Sequence, residues 1–219
     1  MQNQYIYLIM LICIIGLLFL YYKNNITESF VNDETVVLLG DSILKNNIYV
    51  SHENSIEQQL KQHRSEVICE AQDGAIISDV YYQIEQMPDS LNKKTVKIYI
   101  SVGGNDIINY FIYSHVESSN FYKLHDIFIK YRALIENLKT KFKECKIVLI
   151  DLYYPVSNTY KEYYPLIKDW NDKLKKYADS NNLQLVEISK AISSPEDFTN
   201  EIEPSIIGGE KIVNLLLTK

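Results

Sequence analysis

Apolar positions along this chain follow two patterns. The first is an unbroken run, Tyr5 to Tyr22 (YIYLIMLICIIGLLFLYY), which carries no charge and is bracketed by Met1-Gln2-Asn3-Gln4 and Lys23-Asn24-Asn25. As a helix rising about 1.5 Å per residue it would span roughly 27 Å, close to the hydrocarbon core of a bilayer. Tyrosines 5, 7, 21 and 22 sit at its ends, where interfacial aromatic belts form. The run predicts one uncleaved N-terminal transmembrane helix and a single-pass membrane protein. The rival reading, a cleaved signal peptide, lacks a basic leading region and a small-x-small cleavage site. The expected division is an anchor with its flanks over 1–26, a short polar stem over 27–34, and one domain over 35–219.

The second pattern fills that domain. Short, β-branched, nearly continuous apolar runs occur at Thr35–Leu39, Glu66–Cys69, Val96–Val102, Lys146–Leu152 and Leu183–Ile188. Strands of this kind are usually buried on both faces. Helix-period segments separate them at Ser55–Arg64, Ile76–Met87, Lys123–Phe142 and Tyr160–Ser180, and a last one runs from Gly208 to Leu217. Five strands with helical crossovers predict a three-layer α/β/α sandwich built on a five-stranded parallel sheet. There is no internal repeat and no sign of a second domain.

Composition narrows the possible partners. The 219 residues carry 22 basic and 28 acidic side chains, a net charge of −6, and none of these charges lies in the apolar run. An acidic domain of this kind argues against a grip on nucleic acid, and equally against basic residues laying the domain on an anionic bilayer. Cys13 falls in the span. Cys69 lies in, and Cys145 immediately precedes, strand-like runs that the topology keeps apart, so no disulfide is expected. Two free thiols lean toward the reducing side of a membrane. The charges flanking the span, the amino terminus and Lys23, leave the orientation open, as does the short sequon Asn25-Ile26-Thr27.

In open parallel sheets ligands bind beyond the carboxyl ends of the strands, so the loops there carry the candidate chemistry. They read Gly40-Asp41-Ser42, Gln72-Asp73-Gly74-Ala75, Gly103-Gly104-Asn105-Asp106 and Tyr153-Tyr154-Pro155. The first loop has neither a dinucleotide-binding nor a phosphate-loop pattern. Taken singly, each is ordinary turn chemistry. Together they bring a hydroxyl, backbone N–H groups and a carboxamide to one rim, which is the inventory of an acyl-transfer site. Asp41 and Asp106 are read as loop-holding acceptors. Tyr153, Tyr154, Tyr163, Tyr164 and Trp170 either line a cleft or pack, and Ile107–Tyr122 is read as a long aromatic loop that could form a lid.

LLGDSIL, the DGA of AQDGAII, SVGGNDI and EIEPSIIGGEKI stand in this order over about Val36 to Leu217. In these four blocks the chain resembles the SGNH hydrolases, or GDSL esterases and lipases. The resemblance implies a flavodoxin-like fold that works without metal or organic cofactor on ester or acetyl groups of lipids, glycans or small molecules. It further implies Ser42 as nucleophile, with its own N–H, the N–H of Gly74 and the side chain of Asn105 as oxyanion hole. The fourth block departs from the pattern. Aligned on Pro204, the family's histidine position holds Glu203 and its aspartate position holds Asn200, with Glu201 one residue out of register.

Three accounts stay open. Glu203 is itself the base, which requires burial to raise its pKa from the usual value near 4.3. Alternatively one of His52, His63, His115 or His125 serves, His115 being best placed. In the third account the domain is a binding module without turnover.

Overall fold

The computed structural model describes residues 14–16, 34–111 and 120–218, and of Asn120 only the backbone. The chain divides into two units, Met1–Asp33 and Glu34–Lys219. In the first, residues 14–16 are helical and the rest of the Tyr5–Tyr22 run lies outside the described residues. Among the described residues no helix is long and apolar enough to cross a membrane.

In the second unit the continuous apolar runs form five strands: β1 (Thr35–Gly40), β2 (Val67–Cys69), β3 (Val96–Ser101), β4 (Lys146–Ile150) and β5 (Gln184–Val186). All pair in parallel, in the order β2-β1-β3-β4-β5. In the central strands, β1 is buried from Val36 onward and β3 throughout, as their lack of polar alternation predicts. Lys97 interrupts the apolar pattern of β3 yet is 5% exposed. Glu34 compensates it at 2.7 Å and also meets Lys146 at 3.1 Å. Burial alone would raise the Glu34 pKa, but the two lysines hold it below the usual range. Cys69 ends the edge strand β2 and Cys145 directly precedes β4; neither forms a disulfide, and β1 and β3 lie between the two strands.

The helices are α1 (Ile56–Lys61), α2 (Ile77–Gln86), α3 (Gly104–Phe111), α4 (Asn120–Lys141), α5 (Tyr164–Ser180) and α6 (Ile206–Leu217). The chain moves from β1 to β2 in one direction along the sheet and from β2 through β5 in the other. Right-handed crossovers therefore put α1 on one face and α2, α4 and α5 on the opposite face. The packing agrees, since α1 contacts α6 while α4 contacts both α2 and α5. The connections leaving β1 and β3 go to opposite faces of the sheet, so the carboxyl ends of β1 and β3 form the topological switch point at which such folds bind ligands.

Several boundaries differ from expectation for local reasons. β4 stops at Ile150 because the Leu152 backbone is clasped by Asn171, which accepts from its N–H at 2.9 Å and donates to its carbonyl at 2.7 Å. Pro165 lies in the first turn of α5, so the helix starts at Tyr164 and Asn158–Tyr163 forms a 3-10 turn. Residues 104–111, read as turn and loop, form α3. The remainder of the expected lid, 112–119, lies outside the described residues, and His115 with it. α6 begins two residues earlier than expected, where the Ser205 hydroxyl accepts from the Gly208 N–H at 3.1 Å. Between α5 and α6 a hairpin of two very short strands appears, β6 (Phe198–Thr199) and β7 (Glu203–Pro204).

Candidate active site

Gly40 ends β1 with φ of +121°, and a Cβ there would lie 1.7 Å from the Ser101 carbonyl oxygen, so only glycine fits between β1 and β3. The buried Gln83 of α2 fixes this peptide by accepting from the Gly40 N–H at 2.7 Å and donating to its carbonyl at 2.8 Å. The chain then turns so that the Asp41 N–H meets the Ser101 carbonyl at 3.0 Å. Asp41 Oδ1 accepts from the Ile43 N–H at 3.1 Å. Ser42 is thus held at the tip of a tight turn over the switch point, 7% exposed. Its own N–H donates to no group among the described residues.

Two neighbouring loops converge on it. After β2, Gly74 adopts φ of +71° in an open turn, and its N–H also finds no partner among the described residues. Gly74 does not itself line the cleft described below. After β3, Gly103 lies with φ of +119° against Trp170, where a Cβ would come within 2.3 Å of the indole ring. This close approach seats the first turn of α3, which carries Asn105. The Asn105 amide donates one hydrogen to the Ala75 carbonyl at 3.0 Å, tying the two loops together and leaving its second N–H free to donate. Asp106 accepts from the Ile77 N–H at 3.0 Å, so both aspartates hold loops as expected.

Glu203 arrives from the β6–β7 hairpin. Asn200 and Glu201 turn the hairpin with φ of +47° and +68°, and neither lines the cleft. The carbonyls flanking Glu203 are both anchored: Tyr153 donates to Ile202 at 2.7 Å and the buried Asn46 to Pro204 at 3.4 Å. So held, the half-buried Glu203 carboxyl shares the cleft with Ser42. Burial raises its pKa above the usual value, with a further push from Asp73, while the Ser42 side chain opposes the shift. Its Oε2 atom is buried and has no hydrogen-bond partner. Asp41 is pushed up to about 8, first by burial and then by the negative charge of Glu203 and Asp106, against the N–H of Ile43 and the hydroxyl of Ser101.

Asp41, Ser42, Asn105 and Glu203 open on one cleft with about 550 Å³ of free space, part of it open to solvent. Its remaining wall is apolar or aromatic, with Tyr153 and Tyr163 among it, as the sequence allowed, and Tyr160, Ile107, Ile108 and Ile167, which it did not single out. Tyr154 and Tyr164 instead pack edge to face with ring centroids 5.2 Å apart, and Trp170 is core. His52, His63 and His125 are exposed and outside the cleft. Among the described residues no cluster of His, Cys, Asp and Glu is arranged to hold a metal ion. The cleft therefore presents a hydroxyl, a carboxyl able to take its proton, and unused N–H donors on the surrounding loops.

No curated protein sequence matches the chain. Solved structures do. A GDSL-like lipase from Bacteroides thetaiotaomicron superposes with a TM-score of 0.62 at 15% identity, covering 90% of this chain and 95% of that one. A member of the lipolytic G-D-S-L family from Veillonella parvula gives 0.62 at 18%, over 84% and 97%. The acetyl xylan esterase AlAXEase gives 0.65 at 18%, over 84% and 98%. At these identities the likeness establishes the fold. The family model for GDSL-like lipase/acylhydrolase matches residues 36–207, nearly all of the sheet, the cleft and its loops, and the chain belongs to that family.

Proposed function

We propose that this protein is a membrane-anchored serine esterase or deacylase in which Ser42 and Glu203 act as a dyad. The observation that carries the reading is that Ser42 and a half-buried carboxyl of raised pKa line one cleft. In the first half-reaction the Ser42 hydroxyl attacks the ester carbonyl as its proton passes to Glu203. The N–H groups of Ser42 and Gly74 and the Asn105 amide receive the oxyanion. On collapse the alcohol leaves with the proton from Glu203, and water, deprotonated by the same carboxylate, then frees the acid and regenerates Ser42. Substrates are esters of small molecules, lipids or glycans, consistent with membership of a lipase and acylhydrolase family. The apolar Tyr5–Tyr22 run, whose described residues Ile14 and Ile15 are exposed, supports the membrane helix as anchor.

The experiment is hydrolysis of a short-chain ester series as a function of pH. Activity rises with pH as Glu203 ionises, at a pH above that of a free glutamate, and Glu203→Gln lowers kcat by about 10²–10⁴-fold. One observation favours a second reading, a binding module without turnover: Glu203 Oε2 has no orienting partner. That reading predicts no ester turnover at any pH and unchanged ligand binding in Glu203→Gln.

A further inference from the structure

On the side of α3 and the start of α5 the cleft is walled by Ile107, Ile108, Leu152, Pro155, Tyr163 and Ile167. Four of these, Ile107, Leu152, Tyr163 and Ile167, are at most 7% exposed, so this side of the cleft is built from core side chains. No lysine, arginine or histidine lines the cleft among the described residues. The ionisable groups that do are Asp41 and Glu203, with tyrosines. Asp73 acts on Glu203, and Glu201 acts on Tyr160 at the rim. An acetyl group would leave the isoleucine walls without a partner, and an anionic substrate would meet two acids with no basic side chain to balance it.

We propose that this side of the cleft is an acyl pocket, taking an extended apolar acyl group on an uncharged alcohol in preference to acetyl esters or anionic substrates. The assignment rests on the serine esterase reading of Ser42, which supplies the point where the acyl carbonyl must lie. Each methylene entering such a wall adds about threefold to binding, so a chain several methylenes longer than acetyl gains tenfold or more. Ile108, partly exposed on α3, sets how far the chain reaches.

The test measures kcat/KM for para-nitrophenyl acetate, butyrate, hexanoate and octanoate with the full-length protein in detergent, alongside Ile108→Trp and Ile108→Ala. The octanoate-to-acetate ratio should exceed ten in the wild type, fall at least tenfold in Ile108→Trp and rise in Ile108→Ala. Acetate hydrolysed as well as octanoate, or two variants that scale all four esters alike, would overturn the pocket. Octanamide and octanoate are titrated in parallel into Ser42→Ala. Octanamide should bind at least tenfold more tightly than the anion, and absence of octanamide binding would overturn the pocket. If octanamide binds but the wild type turns over no ester, the pocket stands and the esterase reading fails.

Discussion

Two carboxyls a few residues' packing apart cannot both be charged at no cost, and the site separates them by environment. Glu203 is half-buried and stabilised as an anion by Ser42, whereas Asp41 is fully buried and keeps its proton to about pH 8. At neutral pH Asp41 thus adds no charge beside the developing oxyanion. The expected kcat/KM profile is a bell whose acid limb follows Glu203 and whose alkaline limb, near pH 8, follows Asp41. Asp41→Asn removes the alkaline limb while keeping the acceptor for Ile43 and Ser101. Stability should respond with a definite sign. Burial lifts the folded pKa well above that of a solvent-exposed aspartate, so the Asp41 contribution is complete in acid and is lost as pH rises toward 8. The loss is at most about 1.4 kcal/mol per pH unit. Urea midpoints of Asp41→Asn should exceed those of the wild type by more at pH 8 than at pH 5, and an equal gap at both pH values would contradict this environment for Asp41.

The hairpin that carries Glu203 has only two residues per strand, and its position comes from its anchors rather than from its own pairing. The hydroxyl of Tyr153, whose ring packs on Phe198 at 5.2 Å, holds the carbonyl before Glu203, and Asn46 holds the one after it. Tyr153→Phe keeps the packing and frees one anchor. It should lower kcat about tenfold or more with KM little changed, because a displaced base costs chemistry rather than substrate binding; an unchanged kcat would show that the hairpin needs no such support. At the next element, a Cβ on Gly208 would lie 2.1 Å from the Asp197 carbonyl oxygen. Gly208→Ala should therefore shift α6 and lower the thermal midpoint, whereas Gly74→Ala meets no atom and acts only through its backbone strain.

These elements also mark where the sequence stops being legible. The five strands could be read because buried parallel strands are long apolar runs. Ser42 and Asn105 could be found because each follows such a run, and Glu203 because the EIEPSIIGGEKI block aligns on Pro204 with the pattern of the family it resembles. The hairpin could not, since two-residue strands carry no period. α3 was hidden because Gly104-Asn105-Asp106 has turn composition, and what makes it helical is the seat of Gly103 on Trp170. The isoleucine wall was equally invisible, because Ile107 and Ile167 meet only when the helices are docked.

At the scale of the molecule, the departure of the connections from β1 and β3 to opposite faces of the sheet places the cleft, and the apolar N-terminal run is proposed to place the domain at a membrane. Removal of residues 1–26 should move the protein from the membrane pellet to the soluble fraction with kcat/KM for a water-soluble ester unchanged; retention in the pellet would contradict the anchor. The central claim is narrower and concerns one oxygen atom. Incubation of the full-length protein with a fluorophosphonate probe, followed by intact mass and peptide mapping, should give one adduct, on Ser42, and none in Ser42→Ala. An adduct of equal yield in the variant, or none in the wild type, would contradict the account.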